Sequence, residues 1–509
     1  MYTKKSKLIA IRIVIVVIII ASLILSGVFE IKFMTRNQNS ITKVFGGLYS
    51  PYNTDPIAYD DFIHHMAWTS VFGTLVSQYK VGEITGQIAD SWQSNKDYSE
   101  WSFKIKKDCY FENGDLINPK IVAQSFKRIA LVQFLKKSNS GFTEDLVGIQ
   151  DIQNMQSSLP GITFDEDTVT FKFVKSKSDL LNKIGFGIYS IVHPSQYNDD
   201  GSWIDKKIAI SSGPYRIEQW LDNSIHLAIN SKQAKCYSYS KNPLEKINLV
   251  FGIDNLDIKS LDMVSGSSKS LMIDNSFEFL GPAESSILYI RLNKQLPIET
   301  AKALRDVIIY EMASFKNINF ELNRSFLPLT VKGVYAGRMD FDEPRAKILL
   351  RDLNLKIPKY EPSKKSKEMT HFLSYAEAFS EVMNILSLKY GVNISEVPIV
   401  YSKASDSHKI YDIQLLYTGV LVENPNEDIR FMFKSKEGIQ LPDTDGSIIP
   451  LLDNVSENIG EINNKIWQQS TIIPITHYSS GLWVKKDSYN IRDINHMLPP
   501  TNFQFIGYK

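Results

Sequence analysis

The beginning of the chain constrains it most. Lys4, Lys5, Lys7 and Arg12 precede an unbroken apolar run from Ile13 to Phe29. A helix that is apolar on every face must be buried on every face, in a core or in lipid. This run would extend about 25 Å at ~1.5 Å per residue, close to the ~30 Å hydrocarbon layer of a bilayer. Phe33 and Met34 lengthen its apolar end. The basic flank belongs on the cytoplasmic side, so the remainder of the chain is expected outside the cell or in the periplasm. No Ala-x-Ala site follows the run, and no cysteine follows it that would take a lipid. Residues 1–34 therefore read as a retained single-pass signal anchor, with cleavage as the alternative. Residues 35–41, TRNQNSI, read as a polar linker.

Beyond the linker, strand and helix patterns alternate to the end of the 509 residues, too many for one ordinary domain. Period-two alternation marks strands at 101–105, 168–174, 225–229, 246–251, 288–292, 412–417, 472–475 and 482–484. Apolar stripes at helical spacing follow Asn118-Pro119, Pro297, Pro344 and a cap at Ser374. The 57 basic and 56 acidic residues are interspersed, so composition makes no case for a nucleic-acid partner. Of the two cysteines, Cys109 continues the apolar phase of a strand and reads as a small core residue. Cys236 is 127 positions on, and the expectation is that the two stay unpaired, although an oxidising compartment would permit a disulfide.

Catalytic grammar is missing. There is no phosphate-binding loop, nucleophile elbow or zinc-protease helix in the sequence. His64-His65 and Asp60-Asp61 are adjacent pairs whose side chains diverge on a helix or a strand. Ser265-Gly266-Ser267-Ser268 reads as a flexible loop and Asp165-Glu166-Asp167 as a solvated turn. No catalytic residue, metal ligand or cofactor is assigned.

Several stretches in order resemble the extracellular solute-binding proteins of family 5, the peptide- and nickel-type receptors of ABC importers. They begin with Asp55-Pro56 and Val71 to Val76, then Ile88-Ala89-Asp90-Ser91-Trp92. The unit Lys107-Asp108-Cys109-x-Phe111, Asn113-Gly114-Asp115 and Ser125-Phe126-Lys127-Arg128 follows, and then Ser212-Gly213-Pro214-Tyr215. Leu288 to Asn293, Arg345 to Leu350, Tyr411-Asp412-Ile413, Ile473-Pro474-Ile475 and Phe503 to Tyr508 complete the set, spanning about 42–509.

The resemblance implies an α/β, two-lobe periplasmic-binding-protein-like fold (type II, three-domain, cluster C-like) behind the membrane helix. It implies lobe one at 42–283 and 472–509, with an accessory domain about 77–205, and lobe two at 284–471. The hinge crossings would fall near Gly281-Pro282 and Ile472 to Pro474. It implies a peptide or other small organic ligand held between the lobes and handed to ABC permease subunits. By position, the cleft candidates are Asp60, Phe62, Tyr417, Thr418, Leu421 and Glu423. The sequence departs from the family's peptide binders at one point. Aligning Asn424-Pro425 with their acidic-Pro pair puts Leu421 where an Asp holds the ligand's α-ammonium and Thr418 where a Trp is usual. An ammonium buried without its carboxylate costs several kcal/mol, so Glu423 is the replacement anchor to consider. A tethered sensor or assembly protein on the same fold is the alternative function, and an exported hydrolase a third.

Overall fold

A computed structural model describes residues 41–508, apart from 48–52, 58–61, 81–82, 136–141, 144, 206, 234, 253–256, 268–274, 282–285, 316–323, 330, 361–370, 399–409, 420–428, 430–431, 434–440 and 492–502. The apolar run at 13–29 lies outside the described residues. Among the described residues no helix is long and apolar enough to cross a membrane.

The chain starts with β1 (Ile41–Gly47) and α1 (Phe62–Val71), followed by the hairpin of β2 (Val76–Lys80) and β3 (Glu83–Gly86). Next come β4 (Ala89–Ser94), β5 (Glu100–Ile105), α2 (Pro119–Leu135), β6 (Ile162–Phe164), β7 (Thr168–Lys172) and α3 (Leu180–Ile184). Strands β4-β5-β7-β6 make a four-stranded antiparallel sheet covered by α2. Trp101, Phe103 and Ile105 point inward from β5, as their alternation predicts, and meet Val122, Phe126 and Ile129 of α2 in one core. Asn118 caps α2 by accepting from the Ile121 N–H (3.0 Å), and Pro119 opens the helix. Gly114 turns the chain at φ 94°, where a side chain would be strained.

Cys109 and Phe111 are fully buried, but β5 has already ended at Ile105. They belong to the turn that follows it. The two cysteines are bonded, with Cα atoms 4.9 Å apart, which corrects the expectation that they stay unpaired. Sequence separation says nothing about spatial approach; here the core folds the turn after β5 onto the segment 233–237.

Strands β8 (Tyr215–Leu221), β9 (Ser224–Ile229), β10 (Lys246–Phe251), β11 (Met263–Ser267) and β12 (Phe277–Leu280) follow. With β1 and β18 (Ser480–Lys485) they form a seven-stranded sheet ordered β12-β18-β11-β1-β10-β9-β8. β1 runs parallel to both neighbours, and α1 packs Ala67, Trp68 and Val71 against the sheet. Of the Ser/Gly stretch read as a loop, Ser265, Gly266 and Ser267 belong to β11 and pair with β18, while Met263 and Val264 of the same strand also pair with β1. Its partners supply the order that its composition conceals.

Between β12 and β18 the chain builds a second body. It holds β13 (Ser286–Leu292), α4 (Ile298–Met312), α5 (Glu343–Leu350), β14 (Asn354–Lys359) and α6 (His371–Tyr390). β15 (Asn393–Pro398), β16 (Ile413–Gly419), α7 (Val455–Gln469) and β17 (Ile472–Tyr478) complete it. β13 is the central strand of the sheet β16-β13-β17, and all seven of its residues are buried. Leu288, Ile290 and Leu292 face a core built with α4, α5 and α6, while Ile287 and Tyr289 face one built with α7. The stripe Tyr375, Phe379, Val382, Met383, Leu386 and Tyr390 is buried as its spacing predicts, but α6 begins at His371, so Ser374 lies inside the helix rather than capping it. Short strands β19 (Tyr489–Ile491) and β20 (Ile506–Tyr508) return to the first body, where the Tyr508 hydroxyl meets Thr42 Oγ1 at 2.7 Å.

Candidate functional site

The two bodies are joined twice, at one place. The chain leaves the seven-stranded sheet at Leu280 and enters the three-stranded sheet at Ser286, a span that contains the expected crossing at Gly281-Pro282. It returns from Tyr478 to Ser480 with Ser479 alone between β17 and β18. The crossings lie side by side, because β12 pairs with β18 and β13 pairs with β17. Gly481 permits the approach: a Cβ there would stand 2.1 Å from the Leu280 carbonyl oxygen. The return was expected near Ile472 to Pro474 but falls at Ser479. The physical reason is that β17 is buried along its whole length, with Ile473 and Ile475 in one core of the second body and Ile472 in the other.

Two of the six candidate residues are carried to this place by strand register. β16 runs antiparallel to β13 and sets Tyr417 opposite Leu288 and Thr418 opposite Ile287, next to the crossing at Ser286. On the other side of β13, Thr476 and His477 occupy the matching positions of β17. His477 Nε2 lies 3.1 Å from the Phe326 carbonyl oxygen. Phe62 is the first residue of α1, on the seven-stranded body. Asp60, Leu421 and Glu423 lie outside the described residues, as does Asp61 of the acidic pair. Tyr289, one register step deeper, packs edge-on against Phe326, and burial pushes its phenol upward. Among the described side chains, this end of the second sheet carries Ile287, Leu288, Thr476 and His477, with Tyr289 and Phe326 beside them.

The motif residues prove to be scaffold. Arg128, on the buried face of α2, forms a two-pronged ion pair with Asp55 (Nη1–Oδ1 3.0 Å, Nη2–Oδ2 2.7 Å). Its Nε donates to the Gly201 carbonyl, and its guanidinium stacks over Trp203 and Tyr197. Sequence reading missed this pairing; the available signal was an arginine one residue from Ile129 on a buried helix face. The Ser212-Gly213-Pro214-Tyr215 stretch is a knot. Ser211 Oγ donates to Val71 O (2.6 Å), Ser212 Oγ to Ile191 O (2.5 Å), and Gln233 Nε2 and the Tyr237 hydroxyl both donate to Ser212 O. A Cβ on Gly213 would sit 2.6 Å from the Val71 carbonyl carbon, so only glycine lets α1 approach.

One cluster has the form of a proton relay: Asp115 Oδ2 to His193 Nε2 (2.9 Å) and His193 Nδ1 to Ser195 Oγ (2.7 Å). The same Nδ1 also accepts from the Ser195 backbone N–H (3.2 Å), so the ring caps the turn Pro194–Gln196 and latches it to the loop after β5. Asp165 is likewise a turn residue, accepting from the N–H groups of Asp167 and Thr168. Among the described residues no three His, Cys, Asp or Glu side chains converge as a metal site would require.

Residues 83–259 match the bacterial extracellular solute-binding proteins, family 5 middle segment. The probable D,D-dipeptide-binding periplasmic protein DdpA of Escherichia coli K12 is 24% identical over 189 residues, 35% of this chain and 33% of that protein. The chain thus aligns with about one third of that curated relative's length. Among solved structures, the murein tripeptide binding protein MppA of Escherichia coli superposes with a TM-score of 0.70 at 15% identity, covering 92% of this chain and 98% of that one. OppA of Haemophilus influenzae, in complex with RPPGFSPFR, gives 0.70 at 14% identity, covering 93% and 99%. The expected resemblance is therefore found independently in sequence and in fold, and the α/β fold shared with those structures extends over 92–93% of this chain.

Proposed function

We propose that this chain, similar in its middle segment and in its whole fold to the family 5 solute-binding proteins, is a solute-binding protein of an ABC importer. It captures a peptide or another small organic solute between two lobes and delivers it to permease subunits, without chemistry of its own. The lobes are the seven-stranded body with its four-stranded accessory unit, and the body from Ser286 to Tyr478. The N-terminal run holds the protein to the cytoplasmic membrane as a single-pass anchor, with the large domain outside. The buried Cys109–Cys236 bond supports that side, since disulfides persist in oxidising compartments.

The observation that carries the reading is the double crossing. Two adjacent strands joining two bodies allow one body to swing onto the other, and enclosure of ligand between bodies is what such a swing achieves. Ligand contacts are assigned to Tyr417 and Thr418 at the crossing end of β16, and to Asp60, Phe62, Leu421 and Glu423. Leu421 disfavours an ordinary free α-ammonium at the usual place, which points to a blocked or differently held peptide, or to anchorage by Glu423.

Native mass spectrometry of the full chain, purified gently in detergent from its own source, tests this. A co-purifying small peptide or organic solute is the expected result. An empty protein that also ignores a peptide library would sink the receptor reading and favour the tethered sensor, the second reading, for which the anchor itself argues.

A further inference from the structure

We propose that the second body carries a separate binding site for a neutral saccharide, about one or two pyranose rings in size, between α7 and the loop segment that crosses it. The proposal goes beyond the receptor reading and does not depend on it, since neither Tyr417 nor Thr418 lines this site.

A cavity of about 450 Å³ lies there, a volume usual for small-molecule sites. Gly460, Asn464 and Trp467 stand at i, i+4 and i+7 of α7 and line one side of it. Gly333, Tyr335 and Gly337 of the crossing segment line the other. The segment is fastened to the helix. Asn463 Oδ1 accepts from Ser325 Oγ (3.0 Å) and from the N–H groups of Phe326 and Leu327, and its Nδ2 donates to Tyr335 O (3.2 Å). Trp467 is fixed as well: Nε1 donates to Arg338 O (3.3 Å), and the Arg305 guanidinium stacks on the indole at 4.0 Å. Glycine permits so close an approach. A Cβ on Gly337 would stand 2.1 Å from the Trp467 ring, and one on Gly460 2.3 Å from the Gly333 carbonyl oxygen. The cavity is thus held open in advance of any ligand, which lowers the cost of binding.

The groups left free at the cavity decide the ligand. Tyr335 is 79% exposed, and Glu461 and Asn464 are exposed beside it. The Asn464 amide makes no hydrogen bond among the described residues, and Glu461 Oε1 lies 3.8 Å from Lys465 Nζ. No lysine or arginine lines the cavity, and the Glu461 carboxylate opposes an anion. One carboxylate is too few for a divalent cation, and with Lys465 already beside it offers an ammonium group little. A purely apolar guest would take water from the amide and the carboxylate without replacing their hydrogen bonds. A pyranose avoids each of these costs. Its C–H face packs on an aromatic ring, and its hydroxyls, donors and acceptors at once, match an amide and a carboxylate.

The test uses the full chain in a detergent without a sugar headgroup, titrated with maltose, cellobiose and N,N′-diacetylchitobiose. Binding is read by saturation-transfer NMR on the sugar and by hydrogen exchange on the protein. At least one sugar should receive saturation and slow exchange in peptides covering 331–338 and 460–467. Tyr335→Ala and Asn464→Ala, both at exposed positions, should each weaken that binding about fivefold, the loss of one stacking or hydrogen-bonded contact. Protection at β16 and β17 instead, unmoved by Tyr335→Ala, would put the sugar between the bodies; this site would then be wrong and the receptor reading would stand. Binding of tetramethylammonium but of no sugar, weakened by Tyr335→Ala and Glu461→Gln, would overturn the saccharide. If none of the three sugars binds, the proposal fails and the receptor reading is untouched.

Discussion

A guanidinium in the middle of a buried helix face needs a carboxylate, and Arg128 at 1% exposure has Asp55. Removing one partner leaves an uncompensated buried charge. Asp55→Asn should therefore cost about 3–5 kcal/mol, read as a fall in the urea midpoint without loss of the helical signal. Asp145 offers a pH handle. Burial works to raise its carboxyl, but the hydrogen bond and charge of Lys177, with Lys175, prevail and hold it below the usual range. A depressed carboxylate contributes stability above its unfolded value near ~3.9 and loses it as pH falls through the lower folded value. Between neutral pH and about 4 its contribution should be flat, then decline; in Asp145→Asn that part of the acid loss should vanish from a stability–pH curve. At this scale the sequence announced the apolar residues well, because burial of Phe103 or Phe379 follows from periodicity. It did not announce partners, since Asp55 and Arg128 meet only when the fold brings positions 73 apart together.

Among the elements, the unit of β5, the Gly114 turn and α2 was legible from its pattern alone, and the disulfide that pins it was not. The bond joins the turn after β5 to the segment after β9, where Lys106 Nζ also donates to Cys236 O at 3.0 Å. Closing a loop with a sequence separation of 127 removes unfolded-state entropy worth up to about 5 kcal/mol. A reducing agent should lower the denaturation midpoint of the native chain and leave that of Cys109→Ser/Cys236→Ser unmoved. An equal response of both to reductant would place the bond outside the stability of the fold. β11 escaped notice for a different reason: Ser265-Gly266-Ser267 carries no strand preference, and pairing with β18 imposes the conformation. The crossing shifted to Ser479 because apolar residues of β17 say that it is buried but not in which body.

At the scale of the molecule, the order of motifs along the chain anticipated the architecture, and the placement of Tyr417 and Thr418 follows from register once β16 is paired. Asp60, Leu421 and Glu423 were chosen by position and lie beyond the described residues, so ligand chemistry is the part that the pattern of the sequence conveyed least. The strand order has one more consequence, for the making of the protein. β18 is the only described strand that links β12 to the rest of its sheet, lying between β12 and β11. Yet residues 281–479, the entire second body, are synthesised before β18 exists. Throughout that interval the nascent sheet must wait with a strand-wide slot, its facing edges unpaired and adhesive. The first body is begun first and finished last, so the direction of synthesis makes the completion of one half wait on the synthesis of the other.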